Sequence, residues 1–245
     1  VVVITRGGYL KRVPLTEYQA QARGGKGKKA AKLSEEDFVR WLFVANAHDH
    51  ILFLTDAGKC YVKRVYEIPM GSRASRGRHV NNFIGLENLE ESQAYLLTCS
   101  RLGKVKRTEL SAYANIRANG LIAVQIEEGD QLLAARIVRE EDEVLLGTST
   151  GMSIRFPISD VRPMGRDTRG VRGVDLREGD FVIGMDVVEG EAQQVLAISA
   201  NGYGKRTPIT EWRVPSRGGK GIIAMETSER HGPLVQLRLL RPADP

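Results

Sequence analysis

The feature that most constrains the fold of this chain is a hairpin pattern that occurs five times along it. In each copy, a β-branched and apolar run leads into a turn glycine, and a second run of alternating character follows, as in a β-hairpin. The turn glycines are Gly8, Gly58, Gly103, Gly151 and Gly202. They are about 50 residues apart, and self-similarity at such a period is typical of solenoid and propeller proteins.

Each copy continues with two more apolar runs that an acidic turn separates, as at Glu127-Glu128-Gly129-Asp130. Four strands per repeat predict a propeller-like blade. No linker interrupts the repeats, so we predict one all-β domain over residues 1–245 with five four-stranded blades. We also predict that the acidic turns are solvated. Lys104 and Lys106 alternate with Val105, which predicts a polar face on the returning strand.

A second motif, Arg-x-x-(Lys/Arg)-Gly, occurs in four of the repeats and in a shortened form in the remaining one. The segments around it are named here basic loops 1 to 5, which are residues 21–29, 71–80, 116–126, 162–173 and 213–221. Together they hold fifteen Lys or Arg and one acid, so their net charge is +14, whereas the rest of the chain has −8 and the whole chain +6. Such a concentration of positive charge indicates a surface that binds a polyanion.

The basic loops predict contact with the backbone of duplex DNA, because the sequence offers no base-reading helix. Arg and Lys suit phosphate, and glycine lets a backbone come close to a ligand. Aromatic residues make up 6% of the chain and are too scattered to stack the bases of a single strand. The predicted DNA-binding residues are Gln21, Arg23, Gly24, Gly25, Lys26, Gly27, Lys28, Lys29, Arg73, Arg76, Arg78, Arg117, Arg166, Arg169, Arg172, Arg217 and Lys220.

Patterns that would indicate an enzyme are incomplete in this sequence. Gly25-Lys26 and Gly204-Lys205 resemble a phosphate-binding loop, but neither is followed by the hydroxyl residue that reaches magnesium. His48-Asp49-His50 directly precedes an apolar run, which favours a polar turn over a metal site. We therefore predict no catalytic residue, no metal and no cofactor in this chain.

Other signals concern local structure and compartment. Cys60 and Cys99 lie inside apolar runs, which predicts two buried thiols in a reducing compartment. The sequence has no run of about 18 apolar residues, so we expect no membrane span. We recognise no signal peptide in it and expect a cytoplasmic location. Only Ser34–Val44 has a helix start signal, which we interpret as a short turn.

The segment Gln21–Gly27 resembles the GyrA-box, whose family form is Q-R-R-G-G-K-G, with Ala22 in place of the first Arg. Thr168–Gly173 and Asn201–Thr207 are also similar to the C-terminal domain of the DNA gyrase A subunit. The related topoisomerase IV domain usually has a degenerate box. The resemblance covers the whole chain and implies a β-pinwheel, a disc of four-stranded blades with DNA wrapped on its basic rim. The gyrase form normally has six blades, and this sequence contains five.

The resemblance also implies a role. It predicts a non-catalytic module that wraps double-stranded DNA and sets the handedness of the crossing, so that a type IIA topoisomerase introduces negative supercoils. The implied partners are the gyrase B subunit together with the rest of the gyrase A subunit, in the bacterial cytoplasm at the nucleoid. ATP and Mg would belong to the parent enzyme. Two alternatives remain open, a topoisomerase IV C-terminal domain that guides substrate choice and a propeller-like module that binds an acidic protein.

Overall fold

The computed structural model describes residues 1–18, 37–72, 78–79, 84–86, 94–113, 116 and 120–242. Across these residues the chain is all-β, with nineteen strands, five short 3-10 helices and no α-helix. The strands are β1 (Val2–Thr5), β2 (Tyr9–Arg12), β3 (Val39–Phe43), β4 (His50–Leu54), β5 (Lys59–Arg64), β6 (Arg78–His79), β7 (Ile84–Leu86), β8 (Tyr95–Ser100), β9 (Lys104–Glu109), β10 (Leu121–Ile122), β11 (Leu132–Val138), β12 (Glu143–Thr148), β13 (Met152–Pro157), β14 (Val171–Arg172), β15 (Val182–Val188), β16 (Gln194–Ser199), β17 (Gly204–Pro208), β18 (Ile222–Ile223) and β19 (Leu234–Leu240). The 3-10 helices are Leu15–Glu17, Val65–Glu67, Leu110–Tyr113, Ile158–Asp160 and Ile209–Glu211.

The strands of the described residues form five sheets, one for each predicted repeat. Four sheets have four strands, in the orders β3-β1-β2-β6, β10-β5-β4-β7, β11-β8-β9-β14 and β15-β12-β13-β18. The fifth has three, in the order β17-β16-β19. The predicted all-β fold of repeated, propeller-like blades is therefore confirmed.

The turn glycines close the hairpin at the centre of each sheet. Gly8, Gly58, Gly103, Gly151 and Gly202 have φ angles between +78° and +84°. This left-handed conformation is open to glycine without steric cost, which is why the sequence marks each turn so clearly.

The short third strand of a repeat leaves its own sheet and pairs with the hairpin of the repeat before it. In this way β14 lies beside β9, with Val171 opposite Val105, and β18 lies beside β13, with Ile223 opposite Met152. The strand β6 pairs with β2 in the same manner. Each of these short strands lies at the end of a basic loop or directly after it, so the exchange fixes the end of that loop to the preceding sheet.

Contacts divide the chain into two compact units. The first comprises Val1–Thr55, Cys60–Leu89 and Ile116–Leu121. Its core is formed by inward side chains of β1, β2 and β4, and it includes Val2, Ile4, Leu10, Ile51, Phe53, Val65 and Ile68. The single domain over 1–245 stays a prediction.

The second unit comprises Asp56–Lys59, Glu90–Asn115 and Ile122–Pro245, and it has two apolar clusters between successive sheets. Leu97 and Cys99 of β8 pack with Val144 and Leu146 of β12, which places one cluster between those two sheets. Leu145, on the other face of β12, packs with the strands of the last sheet. Period-2 alternation thus buries both faces of β12, because an apolar cluster packs on either face of this strand.

The interpretation of Ser34–Val44 as a turn is wrong for residues 39–43. They form β3, which pairs with β1 so that Leu42 lies opposite Val3. Pairing with a distant strand outweighs the local start signal, as tertiary context often does. Both cysteines are buried free thiols, as predicted.

Candidate nucleic-acid interface

Basic loops 4 and 5 each follow a 3-10 helix, and an exchanged strand lies at the end of loop 4 and directly after loop 5. In loop 4 the Met164 amide donates to the Arg107 carbonyl at 2.8 Å, and the Gly173 amide donates to the Gly103 carbonyl at 2.8 Å. Both ends of the loop are thus hydrogen-bonded to the hairpin of the preceding repeat. The main chain of loop 4 is therefore fixed at both ends to β9 and the turn before it.

Three predicted DNA-binding residues in these loops have exposed side chains. The side chains of Arg169 and Arg172 are 65% and 66% exposed, and Lys220 is exposed as well. Arg169 forms an ion pair with Glu127 at 3.9 Å, and Arg172 Nη1 donates to Asp175 Oδ1 at 3.4 Å. Exposed pairs of this kind contribute little, so both guanidinium groups can turn to a phosphate at small cost.

Arg217 is held by the protein itself. Its Nε donates to the Asp160 carbonyl at 2.8 Å, and its Nη1 donates to the Arg172 carbonyl at 2.9 Å. Its own amide donates to Asp160 Oδ2 at 3.2 Å. The side chain therefore ties loop 5 to loop 4, and a role in DNA contact stays a prediction for this residue.

The remaining predicted residues are less fully described. Arg166 is half-buried in loop 4, and Arg78 lies in β6 opposite Leu10. The others lie outside the described residues and stay predictions: Gln21, Arg23, Gly24, Gly25, Lys26, Gly27, Lys28, Lys29, Arg73, Arg76 and Arg117.

The face of β9 that carries Lys104 and Lys106 is polar, as the alternation indicated, but Lys106 is buried and only 1% exposed. Its ammonium donates to the Ala123 carbonyl at 2.7 Å, to the Arg166 carbonyl, and to the Thr168 carbonyl at 3.4 Å. Burial lowers the pKa of Lys106 to about 8, although the nearby Asp167 carboxylate raises it and the Arg166 guanidinium lowers it further. Lys106 therefore binds the main chain of loop 4 at Arg166 and Thr168 from the interior of the protein.

Two arginines that follow a turn glycine also lie inside the protein. Arg155 is 5% exposed, with its Nε donating to Glu143 at 2.5 Å and its Nη1 donating to the Ile209 carbonyl at 3.2 Å. Arg107 pairs with Glu140, and its guanidinium lies 4.5 Å from the centre of the Tyr95 ring. These two cations, which lie outside the basic loops, stabilise the fold and do not face a ligand.

One acidic turn is not solvated as predicted. Asp180 is 6% exposed, and its carboxylate accepts hydrogen bonds from the Ser149 and Thr150 hydroxyls, both at 2.7 Å, and from the Thr150 amide at 3.0 Å. Burial alone raises the pKa of Asp180, but hydrogen bonds from Thr148, Thr150 and Ser149 outweigh it and hold the pKa below its usual value. The carboxylate braces the turn at Gly151 because it accepts the turn's free donors.

A recurring Lys-Arg pair marks the positions of several buried cations. It stands three and four residues after the turn glycine at Lys11-Arg12 and Lys106-Arg107, where both lysines are buried, and at Lys205-Arg206, where both residues are exposed. Because the pair recurs at the same position of the hairpin, it indicates a structural role in the repeat and not a role in a single binding site. Asp180 carries no such signal, because its partners are short polar residues of an ordinary turn.

Among the described residues, no group of three or more His, Cys, Asp or Glu is placed to hold a metal ion. Across the same part of the chain, no helix has the length and apolar character that a membrane crossing requires. His48 lies in a turn whose Asp49 carboxylate accepts the Asn46 amide at 2.7 Å, as expected of a polar turn before β4.

Comparison with known proteins agrees with the repeats. A family model described as DNA gyrase C-terminal domain, beta-propeller, matches residues 1–46, 49–91, 94–139, 142–189 and 193–240. The DNA gyrase A subunit of Staphylococcus epidermidis (strain ATCC 12228 / FDA PCI 1200) is 41% identical over 248 residues, which cover 96% of this chain and 28% of that protein. The chain thus spans between a quarter and a third of the length of this relative.

Two solved structures share the fold across 98% of this chain. The C-terminal domain of DNA topoisomerase IV has a TM-score of 0.79 at 23% identity over 77% of its length. The DNA gyrase A C-terminal domain has a TM-score of 0.76 at 27% identity over 82% of its length. The five matched repeats coincide with the five hairpins and their sheets, and the resemblance drawn from the box is confirmed: the chain belongs to the DNA gyrase C-terminal domain family.

Proposed function

We propose that this chain binds and wraps duplex DNA on its basic loops, without catalytic activity of its own. The observation that carries the proposal is the repeated placement of exposed cations, Arg169 and Arg172 in loop 4 and Lys220 in loop 5. Each loop is fixed to the preceding sheet by an exchanged strand. Loops 4 and 5 would therefore present phosphate-binding groups from two successive repeats, as a bent duplex requires.

The energetics favour several loops acting together. Bending a short DNA site by 40–90° costs on the order of 1–6 kcal/mol, and a half-turn wrap costs on the order of 10 kcal/mol by extension. One loop with two cations cannot offset that. Several such loops can together make on the order of 6–10 phosphate contacts, each with release of counterions.

In the parent enzyme, a wrap of fixed handedness would present a second DNA segment to the gate with one crossing sign. ATP-driven strand passage would then introduce negative supercoils. The proposed partners are double-stranded DNA, the gyrase B subunit, plus the rest of the gyrase A subunit, in the bacterial cytoplasm. ATP and Mg would be used by the parent enzyme and not by this chain.

A topoisomerase IV domain is the second candidate, since such a structure shares this fold with a TM-score of 0.79. It predicts DNA binding without the wrap that drives negative supercoiling. A module that binds an acidic protein is the third, and it predicts weak DNA contact without bending.

The test is a gel-shift titration over a range of salt, with a DNA-bending assay on the same chain. We expect sequence-tolerant binding, bent DNA, and a log–log salt slope of magnitude roughly 5–9. The triple change Arg169→Ala, Arg172→Ala, Lys220→Ala should lower that slope by about 3, at roughly 0.9 per phosphate.

The matched control removes the same charge from exposed positions outside the loops, by Arg177→Ala, Lys205→Ala and Arg238→Ala. It should leave both slope and bend near those of the unchanged chain. An equal loss in the two triple variants would mean that net charge, and not the loops, determines binding. A shallow slope in the unchanged chain would rule out the wrapping proposal.

A further inference from the structure

Lys106 connects two parts of the chain that are about 60 residues apart. It stands in β9, in repeat 3, whereas the Arg166 and Thr168 carbonyls that it contacts belong to loop 4, in repeat 4. These carbonyls flank the single acid of the basic loops, Asp167. The ammonium therefore lies beneath the turn that leads to Arg169.

A buried ammonium is costly unless its donors are satisfied. Here three carbonyl oxygens supply acceptors, those of Ala123, Arg166 and Thr168. Carbonyls that accept from an ammonium form charge-assisted hydrogen bonds, which are stronger than neutral ones. The lysine can hold this turn more firmly than an amide or a hydroxyl could in its place.

We propose that Lys106 is a positioning residue for DNA binding: it fixes the Arg166–Thr168 turn so that the exposed cations of loop 4 face the DNA backbone. The inference rests on the proposed DNA-binding function. Lys106 itself is buried and does not reach a phosphate. Its contribution to affinity passes through the loop that it holds.

Repeat 1 has the same arrangement, which indicates that a buried lysine positions a basic loop in more than one repeat. Lys11 is also three residues after its turn glycine and is also 1% exposed. Its ammonium donates to the Ser72 carbonyl at 2.9 Å, directly before Arg73 of loop 2. In repeat 4 the arginine one position further along, Arg155, donates instead to the Ile209 and Trp212 carbonyls, which come just before loop 5.

Repeat 5 supplies the matched control. Lys205 stands three residues after Gly202, in the register of Lys106, but its side chain is exposed. A change at Lys205 removes the same charge at the same place in the repeat without touching a loop carbonyl. A difference in DNA affinity between the Lys106 and Lys205 variants then reports the effect of the buried ammonium's contacts, which include the carbonyls of loop 4.

The experiment is a double-mutant cycle on DNA affinity in this chain, between Lys106→Met and the pair Arg169→Ala, Arg172→Ala, the two exposed arginines of loop 4. Lys106→Met should weaken binding by about five- to tenfold, whereas Lys205→Met should change it by less than about twofold. In the background that lacks both loop arginines, Lys106→Met should have almost no further effect. Lys106→Gln, which keeps two N–H donors, should restore part of the affinity.

The same fold loss in both backgrounds would overturn the proposal, because Lys106 would then act by its own charge or through general stability. Melting temperatures are measured for every variant. If neither Lys106→Met nor Lys106→Gln folds, the proposal is also overturned, since Lys106 would be needed for the fold itself. Failure of the unchanged chain to bind DNA with a steep salt slope would instead reject the proposed function.

Discussion

Gly221 lies so close to Ser153 that a Cβ on the glycine would come within 2.1 Å of the Ser153 carbonyl oxygen. Gly170 has the same relation to Val105, at 2.4 Å, and both glycines have φ angles above +70°. They are the last residue of the Arg-x-x-(Lys/Arg)-Gly motif in their loops. The close approach that fixes this residue as glycine is therefore to the preceding sheet, and not to a ligand.

Glycine substitutions in loop 5 should form a graded series. Gly219→Ala meets only an ordinary contact at 3.8 Å and should leave stability unchanged. Gly218→Ala, at φ +81° but with ordinary contacts from 3.5 Å to Arg172, should cost about 1–2 kcal/mol. Gly221→Ala adds a clash with backbone and should cost more than about 2 kcal/mol. Urea unfolding of the three variants measures the order, and equal losses would show that strain at Gly221 is unimportant.

Arg217 and Lys220 should separate stability from DNA affinity. Arg217→Ala removes two hydrogen bonds to main-chain carbonyls, and should lower the free energy of unfolding by about 1–3 kcal/mol. Lys220→Ala should leave stability within about 0.5 kcal/mol. It should lower the salt slope of DNA binding by about 0.9, the share of one phosphate. Both quantities are measured by unfolding and gel-shift titrations on the two variants. A stability loss in Lys220→Ala and not in Arg217→Ala would contradict the structural role assigned to Arg217.

The comparison of these two residues shows what the sequence could and could not predict. The turn glycines were predictable because positive φ leaves a residue-type signature at a fixed period. Arg217 and Lys220 look alike in the motif, and only the structure shows that one guanidinium is bonded to carbonyls of Asp160 and Arg172. Main-chain carbonyls are present at every residue, so a partner of this kind leaves no mark in the sequence.

Burial of charge escaped prediction for a related reason. Period-2 alternation assigns Lys106 to the face opposite Val105, and that assignment assumes that only one face is covered. Here the chain at Ala123 and basic loop 4 cover the second face at Lys106 as well. The exchanged strand that brings loop 4 over β9 joins residues that are about 65 apart, as Val171 and Val105 show. The sequence predicted the loops and their charge, while their support was found only in the structure.

Asp180 should make stability sensitive to acid. Its pKa in the folded protein lies below the unfolded value, so its contribution is present above about pH 4 and is lost as pH falls through the folded pKa. Asp180→Asn should destabilise the protein by about 1–3 kcal/mol at pH 7, because the amide nitrogen meets donors. The difference from the unchanged chain should shrink below pH 4. Asp175→Asn, at a half-exposed surface pair, is the control and should show little change at either pH.

The GyrA-box should determine wrapping more than binding. Arg23→Ala with Lys26→Ala removes about two of roughly 6–10 phosphate contacts, so affinity should fall only moderately. Closing the last part of the bend should then become unfavourable. In the parent enzyme, ATP-dependent negative supercoiling should be lost while relaxation and decatenation are largely kept. Gly27 is left unchanged, because its counterparts Gly170 and Gly221 are needed for the fold.

Supercoiling and decatenation are measured on the same box variant, together with its melting temperature. Parallel loss of both activities, or intact supercoiling, would show that the box does not determine the wrap. A variant of equal charge loss at Lys205 and Arg238, which lie outside the loops, controls for general electrostatics.

Lys106 should give stability and DNA affinity opposite dependence on pH. Burial lowers its pKa to about 8 in the folded protein, against about 10.4 in an unfolded chain. Between these values the unfolded chain binds more protons, so the free energy of unfolding should rise with pH through this window. DNA affinity should fall from pH 7 to 9, because a neutral amine loses its charge-assisted hold on the Arg166 carbonyl. Both trends are measured as differences from Lys106→Met, which lacks the titrating group, and identical pH profiles in the two proteins would refute the prediction.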